Sequence, residues 1–479
     1  MSVQPTETPA VVFISYHYPP SNAIGARRNG AVVRWLVEHN IHVIVVSRFG
    51  DIAFTSPNPH SSITEVRIPE SRRWLMRSIV AAKQGVLRLW ARVGSALRSR
   101  RGSQRRAPGG PQAEGSSGPQ AEANSDPQAV AGSLQRSVSL RERFIQLIVC
   151  LDQYKMWSWR AGWAALTAGK RLNARAVIAS GPPMTNLLAG LWVARFRRIP
   201  FIADFRDPWY AGFEHLPGPS AFEHTLRSSM ERLLVQRSTA VTVTTDLLAQ
   251  QLLSTYPAAR GKIHVVRNGF DGEPRQLPTS TGHCLRFLYA GEIYVNRDPF
   301  PFLAALERLL ALADTDASRI SATFVGYCES YRGVRLADWL RGKRCEALVR
   351  VLPPVTTQVV EAMKAEASVL LNFSQASPLT VPAKTYEHMA SGREILIMCE
   401  AHSSTARLVA GIPGVTCVDP ADSVCLDLAI ADLYHRHVMT GALTAPPASA
   451  VREFSREVQS AAFIQLVQSL LAGRSGELP

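Results

Sequence analysis

The stretch "GFDGEPRQLPTSTG" (269–282) divides the chain. Its glycines, prolines and polar residues suit neither a strand nor a helix, so it reads as a linker. Before it, short β-branched runs alternate with helical patterns: "AVVFIS" (10–15), "IHVIVVS" (41–47), then "ARAVIAS", "PFIADF", "TAVTVTT" and "KIHVVRN". After it the alternation restarts with "LRFLYAG", "ISATFVG", "ASVLLNF" and "REILIM". Strands interleaved with helices indicate a parallel, doubly wound sheet, because each crossover needs a helix to bring the chain back. The spacing therefore predicts an α/β chain of two Rossmann-like domains, 1–271 and 283–445. Beyond them lie a helix and tail, 446–479, in which Val451–Leu471 is apolar at helical spacing.

Bulk properties narrow the class. The 479 residues are 46% hydrophobic, an ordinary globular composition. No apolar run reaches the roughly 18 residues of a membrane span. The start, "MSVQPTETPA", lacks a basic region before an apolar one, so a cytoplasmic protein is expected. Seven cysteines without a C-x-x-C read as reduced thiols. The net charge of +15 is concentrated: Arg72 to Arg106 holds eleven Lys/Arg and no Asp or Glu. Within it Leu75, Ile79, Ala82, Val86, Leu89, Trp90, Val93 and Leu97 recur every three or four residues. This predicts a basic amphipathic helix suited to an anionic membrane surface, with the protein peripheral on the inner face of the cytoplasmic membrane. The Gly, Pro, Ser, Gln and Ala of about 102–132 cannot bury enough surface to order themselves. Together these make an insertion, about 72–137, in the first domain.

Several loops carry candidate chemistry. "FISYHYPPSNAIGARRNGAVVRWL" (13–36) leaves a strand and enters a helix, as nucleotide-binding glycine loops do, but it lacks G-x-G-x-x-G. In "AGEIYVNRDPFPFLAAL" (290–306) Gly291 permits a sharp turn, and Arg297 precedes Pro299 at a helix start. An arginine there offers phosphate a matching fork of donors, or it simply faces solvent. In "LTVPAKTYEHMASGREILIM" (379–398) Lys384 lies in a first helical turn whose amides attract anions. Glu387, three residues on, shares its face. One face would then offer phosphate contacts beside a carboxylate for a vicinal diol; the alternative is an i,i+3 ion pair. "PFIADFRDPW" (200–209) sets Asp204, Arg206 and Asp207 after a strand, where open α/β sheets bind ligands. The alternative is a loop fixed by an Arg206–Asp207 pair. Asp314 and Asp316 form a D-x-D in a polar loop, which reads as chance. G-x-x-x-x-G-K-[ST] is absent, so a P-loop enzyme is not expected; H-x-x-x-H and H-E-x-x-H are absent, so a metal hydrolase is not supported, and His17, His388 and His402 read as solvated or hydrogen-bonded helpers.

Three motifs in order, "YHYPPSNAIGARR", "ADFRDPW" and "VPAKTYEHMASGREIL", resemble those of bacterial family 4 glycosyltransferases of the GT-B fold. The likeness covers roughly 11–48, 150–271 and 285–398. Ala383 stands where that family usually has glycine, Glu394 where it has proline, and Leu379 where it often has a first glutamate. Arg206 stands where many relatives have histidine.

The resemblance implies two domains facing a central cleft. The donor nucleotide sugar would bind mainly to domain two, through Gly291, Arg297, Lys384 and Glu387. The "PPSNAIGARR" loop would overhang the cleft, with Asn22, Gly25 and Arg27 bordering the acceptor. Arg297 and Lys384, with Arg206 and Asp207, would act in catalysis. It implies sugar transfer with retention, without metal or other cofactor, from a nucleotide-diphosphate sugar to a glycan or lipid-linked acceptor in cell-surface polysaccharide synthesis. Specific nucleic-acid binding is not expected. A nucleotide-sugar epimerase of the same fold, or a non-catalytic membrane or nucleic-acid binding module, is the alternative class.

Overall fold

The computed structural model describes residues 8–21, 23–48, 62–69, 152, 154–210, 221–275, 284–441 and 444–473. The basic segment 72–106, the low-complexity stretch 102–132 and Asn22 lie outside the described residues.

The first sheet contains β1 (Ala10–Ser15), β2 (His42–Arg48), β3 (Ile63–Ile68), β4 (Ala174–Gly181), β5 (Phe201–Phe205), β6 (Ala240–Val243) and β7 (Ile263–Val265). All neighbours are parallel, in the order β3-β2-β1-β4-β5-β6-β7. Its helices are α1 (Ile24–Glu38), α2 (Lys155–Arg171), α3 (Thr185–Arg197), α4 (Ala221–Arg237) and α5 (Asp246–Thr255). The sheet is apolar on both faces because helices cover both. Val12 and Ile14 pack with Trp157, Leu187 and Phe205 on one side; Val11 and Phe13 pack with Val33 and Leu36 on the other.

The second sheet begins with β8 (Leu285–Glu292) and β9 (Ile320–Tyr327). A short antiparallel pair follows, β10 (Ser330–Tyr331) and β11 (Val334–Arg335). Then come β12 (Val349–Leu352), β13 (Val369–Phe373), β14 (Glu394–Met398) and β15 (Val415–Val418). The order is β12-β9-β8-β13-β14-β15, again all parallel. Its helices are α6 (Phe300–Leu309), α7 (Leu336–Leu340), α8 (Thr357–Glu366), α9 (Ala383–Met389), α10 (Ser404–Val409) and α11 (Ser423–His435). Phe287, Tyr289, Phe302, Phe324 and Phe373 make an aromatic core on one face.

The expected single helix over Val451–Leu471 is instead two, α12 (Ala448–Val451) and α13 (Arg456–Leu471). The break has a local cause: the Ser455 hydroxyl accepts from the Val458 amide and starts a new helix. Helix α13 returns to the first domain, where Phe463, Ile464, Val467 and Leu470 complete the core around Val11 and Phe13. Reciprocal backbone bonds, Phe270 N–H to Phe454 O and Arg456 N–H to Phe270 O, tie this return to the linker.

Both sheets reverse their strand order once, β1 beside β4 and β8 beside β13. Ligands bind open α/β sheets outside the carboxyl ends of strands at such points. The loops leaving these four strands supply the walls described next.

Candidate active site

A cavity of about 370 Å³ takes His17, Gly25, Pro182, Arg206 and Asp207 from the first domain and Tyr294, Asn296, Arg297, Ser377 and Thr380 from the second. Its first-domain wall also contains Arg28, one partner of a buried ion pair. Arg28 donates to both oxygens of Asp204, at 2.6 and 3.1 Å, and Ser180 and Thr242 each donate to the same carboxylate at 2.8 Å. Burial alone would raise the Asp204 pKa, but Arg28 and the two hydroxyls hold it below the usual carboxylate range. Asp204, a site candidate from its place after β5, is thus 2% exposed and supports the wall rather than facing the cavity.

Arg206 does face it. Its Nε donates to Gly181 O at 3.1 Å and its Nη2 to Pro182 O at 2.8 Å, which fixes the loop after β4. Among the described residues it makes no ion pair with Asp207, so the alternative of a paired loop does not hold: carbonyls occupy the guanidinium instead. The Arg206 guanidinium also packs on Gly25, where any Cβ would collide with it. Glycine is required there by the close approach of the Arg206 guanidinium. Asp207 is exposed at the cavity wall. His17, dismissed from sequence as a helper, lines the cavity with its pKa lowered to about 4 by burial and by Arg206 and Arg48. It is a neutral imidazole at ordinary pH.

The second domain contributes cations. Arg297 rests on Tyr294, 4.6 Å from the ring centroid, with Nη2 donating to the phenol at 2.7 Å. Its Nε and Nη1 are buried without a hydrogen-bond partner among the described residues. Lys384 stacks 4.2 Å from the Tyr289 ring centroid and donates to Ala290 O at 3.0 Å. Burial, and then the Arg297 charge, lower its pKa to about 7. Gly291 has φ of +149°, and a Cβ there would lie 2.5 Å from Lys384 Nζ. The glycine therefore keeps room for the amine as well as turning the strand end.

Lys384, Glu387, Gly291 and Arg27 line a second cavity of about 400 Å³, together with Val325, Gly326, Pro354, Val355 and Glu361. Arg297 belongs to the first cavity. The expected cluster is thus spread over two adjacent cavities, with Tyr289 between its two cations. Glu387 makes no ion pair with Lys384. Its carboxylate lies 3.6 Å from Arg27 of the first domain, so the alternative of an i,i+3 pair is replaced by a contact across the cleft. Helix α9 has only seven residues, so the Lys384 amine, not the helix end, is the larger positive feature.

Sequence reasoning missed Arg456, which lines the first cavity from the start of α13 and pairs with Asp271. No local motif announces it, because only the return of the chain brings it there. Asp316 caps a short turn by accepting from the Ser318 amide, which accounts for the D-x-D. Among the described residues no three His, Cys, Asp or Glu side chains gather in a metal-binding group, and no helix is long and apolar enough to cross a membrane.

The sequence profile described as Glycosyltransferase Family 4 matches residues 123–273. No curated protein sequence matches the chain. Among solved structures, a sucrose-phosphate synthase from Thermosynechococcus elongatus superposes with a TM-score of 0.59 at 12% identity, covering 97% of this chain and 100% of its own. An Anabaena protein, Alr3699/HepE, in complex with UDP gives 0.58 at 11%, covering 96% and 100%. A glycosyltransferase from Rickettsia africae ESF-5 gives 0.56 at 10%, covering 97% and 99%. At such identities the likeness shows the fold, which is GT-B.

Proposed function

We propose that the chain is a family 4 glycosyltransferase that uses its GT-B fold to move a sugar from a nucleotide-diphosphate sugar to a lipid-linked glycan acceptor, with retention and without metal. The observation that carries this reading is the pair of cations around Tyr289. Among the described residues Arg297 Nε and Nη1 are buried without partners, and Lys384 is held close enough for the Arg297 charge to depress it. Two desolvated, like-charged groups are costly together unless an anion joins them. A diphosphate satisfies both. As the glycosyl bond breaks, negative charge grows on the leaving oxygen, where fixed donors stabilise the transition state more than the ground state.

The rest of the nucleotide fits the second cavity. Glu387 accepts the ribose hydroxyls once it gives up Arg27, and Pro354 and Val355 offer an apolar wall to the base. A nucleotide donor is in keeping with the Anabaena relative, whose structures hold UDP and UDP-glucose. The acceptor enters from the first-domain side, past His17, Gly25 and Arg27. There the neutral His17 ring and the Asp207 carboxylate are the acceptors for its hydroxyl proton. Arg206 holds that wall in place. The basic segment 72–106 brings the protein to the inner face of an anionic membrane, where lipid-linked precursors of cell-surface polysaccharide are presented.

The test begins with thermal shift against the common nucleoside diphosphates, followed by sugar transfer to lipid extracts. Arg297→Ala and Lys384→Ala should each cut turnover by roughly 10²-fold, the scale of removing one transition-state donor. Near-normal turnover in both removes the assignment. Free sugar-nucleotide isomer released without acceptor would mark an epimerase instead.

A further inference from the structure

Residues 155–198 contain eight Lys/Arg and no Asp or Glu. They include helices α2 and α3, which pack side by side next to β4. The inner sides of these helices supply Trp157, Ala161, Ala165, Leu187 and Leu191 to the core. Their outer sides are also apolar, which the core does not require. Met156, Trp159 and Trp163 on α2 are 52%, 55% and 51% exposed, and Phe196 on α3 is 70% exposed. Trp192 joins them into one plate, its ring 5.4 Å from Trp159, 5.2 Å from Trp163 and 6.2 Å from Phe196. Trp157 donates its indole N–H to Ile68 O, whereas Trp159, Trp163 and Trp192 find no such partner among the described residues. Lys170, Arg171, Arg195 and Arg197 occupy the last turns of the two helices, with Arg198 next in the chain.

We propose that this aromatic plate with its basic end is a second membrane-docking face, which seats on the headgroup layer of an anionic bilayer. The chemistry selects that occupant. Tryptophan rings are amphipathic and settle at headgroup depth, apolar body inward and N–H toward water. Arginines and lysines beside them meet lipid phosphates. The exposed charges on and beside these two helices, Arg160, Lys170, Arg171, Arg195 and Arg198, are all positive and complement an anionic surface. This docking deepens the lipid-linked acceptor reading and rests on it: α3 begins directly after the Pro182 loop that lines the first cavity. Helix α3 runs from that loop to the plate, so seating it holds the cavity's first-domain wall within about 20 Å of the headgroup layer.

The test uses the full chain with vesicles of phosphatidylcholine alone and of phosphatidylcholine with phosphatidylglycerol. The expected result is co-sedimentation with the anionic vesicles only, with a blue shift of tryptophan emission. Two variants, Trp159→Ser/Trp163→Ser/Phe196→Ser and Arg195→Glu/Arg198→Glu, should each weaken partition at least about tenfold. Both should keep the thermal shift given by nucleoside diphosphate, which shows that they fold. Unchanged partition in the aromatic variant overturns the proposal, as does a wild-type chain that ignores anionic vesicles. It is equally overturned if the wild type is a dimer that the aromatic variant dissociates without lipid, since the face then joins two copies. Loss of nucleotide response in the wild type speaks against the glycosyltransfer reading and leaves vesicle binding to be judged separately.

Discussion

Lys384 links pH to donor binding. Its free-state pKa of about 7 lies far below that of an ordinary lysine because of burial and Arg297. A diphosphate prefers the ammonium and raises that pKa on binding. Below about pH 7 the site is already charged and binds with full affinity. Above it, each complex must take up a proton, so affinity falls as pH rises, by up to about tenfold per unit. Titration calorimetry from pH 6 to 9 in buffers of different ionisation enthalpy checks this; in Lys384→Arg the slope should vanish. His17, with its pKa near 4, should contribute no slope in that range. Asp204 is different in kind. Asp204→Ala leaves Arg28 buried without its partner and should cost about 3–5 kcal/mol of stability, read by urea unfolding. Its sequence position resembled that of Arg206 and Asp207, yet only Arg206 and Asp207 line the cavity. Which of three neighbouring charges points inward depends on the register of β5 against β4 and β6, and no local pattern states that register.

The central strands were legible because both of their faces are buried, which gives continuous apolar runs such as "AVVFIS" and "REILIM". Three of the strands that sequence reading missed lie at sheet edges, and β10 and β11 form a two-residue pair of their own. "ITEVRI" (63–68) carries Glu65 and Arg67 and is only half-buried, while β12 and β15 have four residues each. The return of α13 was legible as a helix but not as part of the first domain, because periodicity gives a buried face and not its partner. Phe463 lies in that interface at 1% exposure. Phe463→Ala should therefore destabilise by about 3–5 kcal/mol, and the loss should appear in the first domain's unfolding by hydrogen exchange.

Across the whole molecule, the Thr245 hydroxyl donates to Leu379 O at 2.7 Å, while Arg27 and Glu387 meet between the two domains at 3.6 Å, with side chains 50% and 33% exposed. Such a pair contributes only about 0–1 kcal/mol. Arg27→Ala should therefore leave the melting temperature within about 2 °C and should not weaken nucleotide binding, because Glu387 is freed. Glu387→Ala should weaken binding. If both variants lose affinity equally, Glu387 acts only through Arg27 and the ribose assignment fails.

The route of the chain has a cost during synthesis. The last strand of the first sheet ends at Val265, but the side chains that seal its far face begin at Phe463, roughly 200 residues later. At about 5–20 residues per second a ribosome takes on the order of 10–40 s to deliver them. For that interval the sides of α1 and β4 against which α13 packs face solvent or a chaperone. A gene cut at the linker would therefore yield a first half that stays sticky until the missing helix is supplied in trans.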